Sequence, residues 1–329
     1  MTPEDTGSGT PGSRPEDEPG GEGGRGAGRG WTRRRVLGLG LGGVAAVVAG
    51  GATLFELVDH GVLPGQGELD RIDGGCSVPP THLEVAPPGP AVSGTFYSVA
   101  RRRTVGYTVA WPPGHGPGSA LPLVVMLHGF GANHATALTG LSPERALALR
   151  VGGEPLTPMA MVTVDGGGGY WNPHPGDDPM AMVIEEVLPM CRRQGLGVPP
   201  RRIGTMGISM GGYGAILFAE RYPRLFSAVA AISPAIWTSY AQASAANAGA
   251  YASASAFRAD DAVTHAGALA GIPVRVASGA DDPFHPGVEA LARALPPGAV
   301  VEFSSGCHTG SFFLGQEPPS LAFLARHLA

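Results

Sequence analysis

Residues 207–212, Gly-Ile-Ser-Met-Gly-Gly, follow directly on a mostly apolar run that starts near Arg202. A G-x-S-x-G pattern in that setting is a nucleophile elbow, a sharp strand-to-helix turn that lifts a serine hydroxyl above a parallel sheet. Few folds can hold such a turn. The serine backbone is strained, and side chains at Gly207 and Gly211 would collide with the adjoining strand and helix. In a chain with 53 glycines the pattern alone is a moderate signal. It gains weight because an acid and a base follow in chain order, Asp282 and then His308.

A serine hydroxyl is a poor nucleophile at neutral pH and needs a base within hydrogen-bond reach and a third group to hold that base. His308, in Ser304-Ser305-Gly306-Cys307-His308-Thr309-Gly310, follows the last predicted strand, where the order Ser…Asp…His puts the base. Asp282 stands in Ser278-Gly279-Ala280-Asp281-Asp282-Pro283-Phe284, just past another predicted strand. The G-x-x-D spacing favours Asp282 as the acid, with Asp281 the alternative. The N–H of Met210, next after the serine, is one expected oxyanion donor. The second comes from the loop His128-Gly129-Phe130-Gly131: Phe130 first, Gly129 or Gly131 otherwise.

The rest of the chain reads as alternating strands and helices. Segments 91–99 and 103–111 alternate and are rich in β-formers, as in an antiparallel pair. Strands are predicted over 121–127, 158–164, 202–208, 226–232, 273–277 and 300–303, and helices over 134–150, 178–194, 211–222 and 318–327. This alternation implies a doubly wound, mostly parallel α/β sheet with helices on both faces. Ligands on such sheets bind beyond the carboxyl ends of the strands. Ser209, Asp282, His308 and the turn after Leu127 all fall there.

The N-terminal quarter is different. Residues 1–30 carry ten glycines and four prolines and few apolar side chains, a composition that reads as a disordered tail. Residues 31–60 begin with Thr32-Arg33-Arg34-Arg35 and continue with twenty uncharged residues, Val36–Phe55. A basic cluster before a mild, Gly- and Ala-rich apolar run resembles a twin-arginine export signal. The same run, 36–55, is long enough for an uncleaved membrane anchor. Either way the expected partners are export machinery or membrane, and the expected location is extracellular or in the cell envelope. Residues 61–90 read as a Pro/Gly-rich linker, and 91–329 as the catalytic domain.

Every one of the 22 basic residues is an arginine, which excludes lysine Schiff bases, a Ser–Lys dyad and a Walker lysine. The formal net charge of −5 gives no reason to expect a nucleic-acid partner. No metal or organic cofactor is expected. The three cysteines are too scattered for a zinc cluster. Cys76 and Cys191 could pair in an exported protein, or Cys191 could be a buried free thiol, with Cys307 a packing residue.

Other residues carry competing readings. His128 reads as a brace for the oxyanion loop rather than a metal ligand. His285 lies on the acid's own loop, which argues against a role as base. Asp165 precedes a run of glycines, Gly166–Gly169, that reads either as a loop near the ligand, with Tyr170 and Trp171 as candidate substrate-binding aromatics, or equally as an ordinary surface loop with a buried aromatic. Residues 234–270, with Trp237, Tyr240, Tyr251 and Phe257, read either as a small cap or as plain helical packing.

Taken together, His128-Gly129-Phe130-Gly131, the stretch from Gly207 to Gly214, Gly279-Ala280-Asp281-Asp282-Pro283-Phe284 and Gly306-Cys307-His308 resemble the esterase D-like branch of the α/β-hydrolases. That branch holds S-formylglutathione hydrolases, feruloyl and acetylxylan esterases and secreted actinobacterial mycolyltransferases. The resemblance spans roughly 91–329. It implies an α/β-hydrolase fold, Ser209 as nucleophile, Asp282 as acid, His308 as base, and Phe130 and Met210 as the oxyanion hole. The all-arginine, Gly/Pro/Ala-rich composition resembles that of exported actinobacterial proteins. The expected activity is hydrolysis of a small-molecule, lipid or carbohydrate ester through an acyl-enzyme. The alternatives are transfer of the acyl group to a sugar or lipid hydroxyl, and a non-catalytic binding protein on the same scaffold.

Overall fold

The computed structural model describes residue 76 and residues 78–200 and 202–329. The expected tail, the arginine-led apolar segment and most of the linker lie outside the described residues. Among the described residues no helix is long and apolar enough to cross a membrane.

The strands, in chain order, are β1 (Glu84–Val85), β2 (Ala91–Ser98), β3 (Arg103–Ala110), β4 (Leu123–Leu127), β5 (Leu149–Val151), β6 (Glu154–Pro155), β7 (Ala160–Val164), β8 (Ile203–Ile208), β9 (Ala228–Ile232), β10 (Val274–Gly279) and β11 (Val300–Ser304). The α-helices are α1 (Pro143–Leu147), α2 (Pro179–Ala181), α3 (Leu188–Arg193), α4 (Met210–Arg221), α5 (Tyr240–Ala246), α6 (Ala254–Ala259), α7 (Ala262–His265), α8 (His285–Ala294) and α9 (Gly310–Leu328). A π-helical stretch, Met182–Val187, joins α2 to α3.

The central strands show how the sequence builds the sheet. Every residue of β4 is buried; Leu123, Val125 and Leu127 enter one core, Val124 and Met126 the other. That is the period-two alternation of a strand covered on both faces. β9 divides the same way, Val229 and Ala231 to the first core, Ala228, Ala230 and Ile232 to the second. Helices therefore have to lie on both sides. α4 packs on β8 and β9 from one face, and α9 packs on β9 from the other.

Eight strands form the main sheet in the order β11-β10-β9-β8-β4-β7-β3-β2. Pairing is parallel from β7 to β11, and the β2–β3 hairpin adds antiparallel to β7. This is the doubly wound α/β sheet that the strand–helix alternation predicts, in the α/β-hydrolase arrangement that the resemblance implies. The order reverses around β4: the chain steps to β7 on one side, then crosses back to β8 on the other. Such a switch point opens a crevice at the carboxyl ends of the strands. The loops after β4, β8, β10 and β11 all end there. A separate antiparallel trio, β1-β5-β6, is pinned by an Arg150–Glu84 ion pair at 2.9 Å.

Three expectations are corrected. The helix expected over 134–150 shrinks to α1, followed by β5. Its backbone groups find partners elsewhere: the Asp165 carboxylate accepts the His134 N–H at 2.8 Å, and Thr163 Oγ1 donates to the His134 carbonyl at 2.6 Å. Gly140 also sits at φ +70°, which a helix cannot contain. The closing helix starts not at Pro318 but at Gly310, after a Thr309 cap, and runs through Pro318 and Pro319. Dense packing of one face on β9 carries it past two missing N–H donors. Finally, Cys76 pairs not with Cys191 but with Cys307, across 231 residues with Cα atoms 5.0 Å apart. Cys191 is a buried free thiol on α3, pushed up to about 12 by burial.

Candidate active site

Ser209 sits between β8 and α4 at φ 56° and ψ −120°. Non-glycine residues rarely occupy positive φ, so the surrounding structure must over-determine it. It does: the Ser209 N–H donates to the Ile232 carbonyl at 2.9 Å, and its own carbonyl accepts from Tyr213 and Ala235 at 3.0 Å. The flanking glycines leave no room for side chains. A Cβ on Gly207 would lie 2.1 Å from the Gly211 backbone, and one on Gly211 would lie 1.9 Å from the Leu127 carbonyl oxygen.

The loop after β11 brings His308 over this serine. His308 Nε2 is 2.8 Å from Ser209 Oγ, and His308 Nδ1 is 2.9 Å from Asp282 Oδ2. The Asp282 side chain is fully buried, and its other oxygen accepts the Phe284 N–H at 2.8 Å. Asp281 is exposed and only its backbone is engaged, donating to the Gly306 carbonyl. The structure therefore brings Asp282, not its neighbour, to the imidazole. Phe284 and Phe313 meet the His308 ring edge-on from two sides, with centroids 5.1 and 4.9 Å away. With Nδ1–H donating to the carboxylate, Nε2 is free to take the serine proton.

The model of the Esterase family matches residues 98–294, the stretch that holds the elbow and Asp282. The chain belongs to that family. It is an esterase of the esterase D-like α/β-hydrolase branch, and its substrates are carboxylic esters. No curated protein matches the sequence. Solved esterases share its fold at low identity. A ferulic acid esterase is 20% identical with a TM-score of 0.59, covering 74% of this chain and 99% of its own. S-formylglutathione hydrolase from Agrobacterium tumefaciens is 18% identical with a TM-score of 0.58, covering 77% and 100%. The fluorophosphonate-binding serine hydrolase F of Staphylococcus aureus, solved with substrate bound, is 17% identical with a TM-score of 0.56, covering 73% and 99%.

In this esterase Ser209 and His308 open into a cavity of about 380 Å³. One wall comes from the loop after β4, with Gly129, Phe130, Thr136 and Thr139; another from Tyr170, Trp237 and Asn247; Phe284 and Phe313 lie beside the histidine. The insertion 234–270 thus contributes wall residues, while its Tyr251 and Phe257 pack inward, ring centroids 5.0 Å apart. Phe130 is 63% exposed at the mouth. A Cβ on its neighbour Gly129 would stand 3.7 Å from that of Ser209, so this loop lies directly against the serine. Met210, on the other side, opens α4, whose first N–H groups have no intrahelical acceptor.

His128 braces the loop. Its Nε2 accepts the Gly166 N–H at 2.9 Å, so Nδ1 carries the proton and donates to the Gly129 carbonyl at 2.8 Å. Burial lowers its pKa, in keeping with this neutral tautomer. Asp165 is a brace too, accepting the N–H groups of Gly106 and His134. His285 Nδ1 faces the Gly279 carbonyl at 2.9 Å, and its Nε2 lies 3.8 Å from Glu289.

The two candidate substrate aromatics part ways. Both adopt positive φ, 55° for Tyr170 and 58° for Trp171, and this doubled turn sends the side chains in different directions. Tyr170 lines the cavity within a cluster of Tyr213, Trp237 and Tyr251 rings, its phenol pushed up to about 12 by burial. Trp171 is fully buried against Phe218, and its indole donates to the His128 carbonyl at 3.2 Å. It holds the loop after β4 from behind and cannot stack on a ligand. Phe284 and Phe313 were not apparent as site residues. Phe284 carries a signal, its place two residues after the acid; Phe313 carries none, because it lies in the part of α9 that precedes Pro318.

Proposed function

We propose that this esterase is an exported serine hydrolase that works through an acyl-enzyme. Ser209 Oγ attacks the ester carbonyl carbon while His308 Nε2 takes its proton. The carbonyl oxygen becomes an oxyanion held by the N–H groups of Met210 and Phe130. The carbon–alkoxide bond then breaks, and His308 returns the proton to the leaving alkoxide. Water then attacks the acyl carbon while His308 Nε2 takes its proton, the acyl–serine bond breaks, and His308 returns that proton to Ser209 Oγ as the acid leaves. Asp282 keeps the imidazole in the correct tautomer throughout. The single observation that carries the proposal is the pair of hydrogen bonds, 2.8 Å and 2.9 Å, joining residues 209, 308 and 282 at the floor of an aromatic-walled cavity. A fluorophosphonate probe is expected to label the wild-type protein and to leave Ser209→Ala unlabelled. Labelling that persists in the variant removes Ser209 from this role.

Export is supported by the arginine-led apolar segment and by the Cys76–Cys307 disulfide. Such bonds persist in oxidising compartments and are rare where glutathione keeps thiols reduced. Fractionation of producing cells is expected to find the protein outside the cytoplasm or with the membrane. Recovery in the cytosol alone refutes export.

A further inference from the structure

One buried acid near the cavity has no part in the reaction above. Glu317 lies on α9 with none of its surface exposed. Its Oε1 accepts the backbone N–H of Thr139 at 2.5 Å. Its Oε2 has no hydrogen-bonding partner among the described residues. Thr139 lines the cavity, and so does Phe313, which packs on His308. Phe313 and Glu317 are four residues apart on α9 and so share one helix face. That face therefore touches both the base and the wall opposite it. At its start the wall loop is held by the His134 bonds to Asp165 and Thr163, and Ala137, Leu138 and Leu141 are buried in the core; residues 134–142 have no regular structure of their own, and the Glu317 bond at Thr139 is what ties their cavity-facing stretch to α9.

The charged form of such a group is costly. A buried carboxylate without a cation or a full set of donors loses more solvation than one or two hydrogen bonds return. The titratable groups on the surrounding elements do not relieve it. On α1, Glu144 accepts from Ser142 and Arg145 is exposed. On β5, Arg150 pairs with Glu84. On β10, Arg275 is held by Glu302, Gln316 and Ser320. In the wall loop, His134 faces Thr108. β8 and β9 carry no titratable side chain.

We propose that uncharged Glu317 is a positioning residue for this esterase: it ties the wall loop carrying Thr136, Ala137 and Thr139 to the helix face that packs Phe313 on His308. Ionisation releases the tie. Water has to reach the carboxylate, the loop leaves α9, and the substrate wall is lost while Ser209 remains. Burial raises the pKa of Glu317 to about 8, against the opposing hydrogen bonds from Thr139, so the release falls at mildly alkaline pH. This inference rests on Ser209 being the nucleophile of the cavity.

The test is the pH profile of kcat/KM for a chromogenic ester, which reports groups titrating in the free enzyme. Wild type is expected to bend downward near pH 8, the loss approaching about tenfold per pH unit and carried by KM. Glu317→Gln keeps an oxygen for the Thr139 N–H and cannot ionise; it is expected to match wild type at pH 7 and to lose the bend. Glu317→Ala is expected to show raised KM at every pH, with kcat much less changed. Thermal melts give a second reading. The folded-state pKa lies above the ordinary 4.5, so wild type loses stability as pH rises from there to about 8. Glu317→Gln, equal near pH 4, is expected to melt progressively higher than wild type over that range. A Glu317→Gln enzyme that keeps the bend, or a wild type with none up to pH 10, overturns the proposal. Fluorophosphonate labelling run in parallel separates the two readings. Absence of label at every pH indicts the nucleophile, whereas normal labelling with an unbent profile indicts Glu317 alone.

Discussion

Replacing His308 by alanine is expected to lower kcat by about 10⁶-fold, as removal of the base does in other triads. The magnitude follows from what the imidazole alone supplies. Without it the Ser209 hydroxyl keeps its ordinary acidity, and no other base stands within reach: His285 is turned to the Gly279 carbonyl and His128 is committed to Gly129 and Gly166. Asp282→Asn is expected to cost about 10⁴-fold, by allowing the wrong tautomer and removing the charge that stabilises the imidazolium. It should fold normally, since the amide oxygen can still accept the Phe284 N–H now held at 2.8 Å. Asp281→Asn is the matched control. Its side chain is exposed and only its N–H is bonded, so activity is expected to stay within about twofold, the range of surface changes of under ~0.5 kcal/mol. Steady-state kinetics on the three variants, with circular dichroism to verify folding, decide the matter. A His308→Ala enzyme within tenfold of wild type excludes the triad mechanism, and equal losses at Asp281 and Asp282 exclude the assignment of the acid.

The parts legible in the sequence were those set by local pattern. β4 and β9 are continuous apolar runs, and buried parallel strands have no other way to look. The elbow carries its own glycines, and Asp282 and His308 each follow a strand in a known order. What escaped was settled by contacts distant along the chain. The pairing of Cys76 depends on which cysteine comes within about 6 Å, and across 231 residues no spacing shows that. The 134–142 stretch has the apolar content of a helix, yet Asp165 and Thr163 on neighbouring segments take its backbone groups. For Trp171, just beyond four glycines, the sequence leaves a ligand platform and a buried aromatic equally open. Two consecutive positive φ angles, which composition does not reveal, turn it into the core while leaving Tyr170 in the cavity. Pro318 and Pro319 read as a helix start, when the start lies at the Thr309 cap and the prolines ride inside. That one shift hid Phe313 and Glu317 together.

Gly211→Ala should be the most damaging single-methyl change in this esterase. An alanine Cβ there would lie 1.9 Å from the Leu127 carbonyl oxygen and 2.8 Å from that of His128. Both are backbone atoms, so no side chain can swing aside. Either α4 or the end of β4 has to move by more than an ångström. Both movements reach the site, because α4 begins at Met210 and β4 runs straight into the loop of Gly129 and Phe130. Overpacking alone costs about 1–3 kcal/mol. A backbone clash belongs in the tail above ~4 kcal/mol, which corresponds to a fall in Tm of roughly 10 °C for a domain of this size. Displacing the N–H groups of Met210 and Phe130, the proposed oxyanion donors, by about an ångström is expected to cost a further ~10²-fold in the rate of fluorophosphonate labelling. Gly267→Ala gives the baseline, since a Cβ at that position meets nothing within 4 Å. Differential scanning fluorimetry and labelling kinetics on the two variants measure both effects. If Gly211→Ala melts and labels like Gly267→Ala, then helix and strand do not approach as closely as the elbow requires, and the close contact that orients Ser209 toward His308 loses its basis.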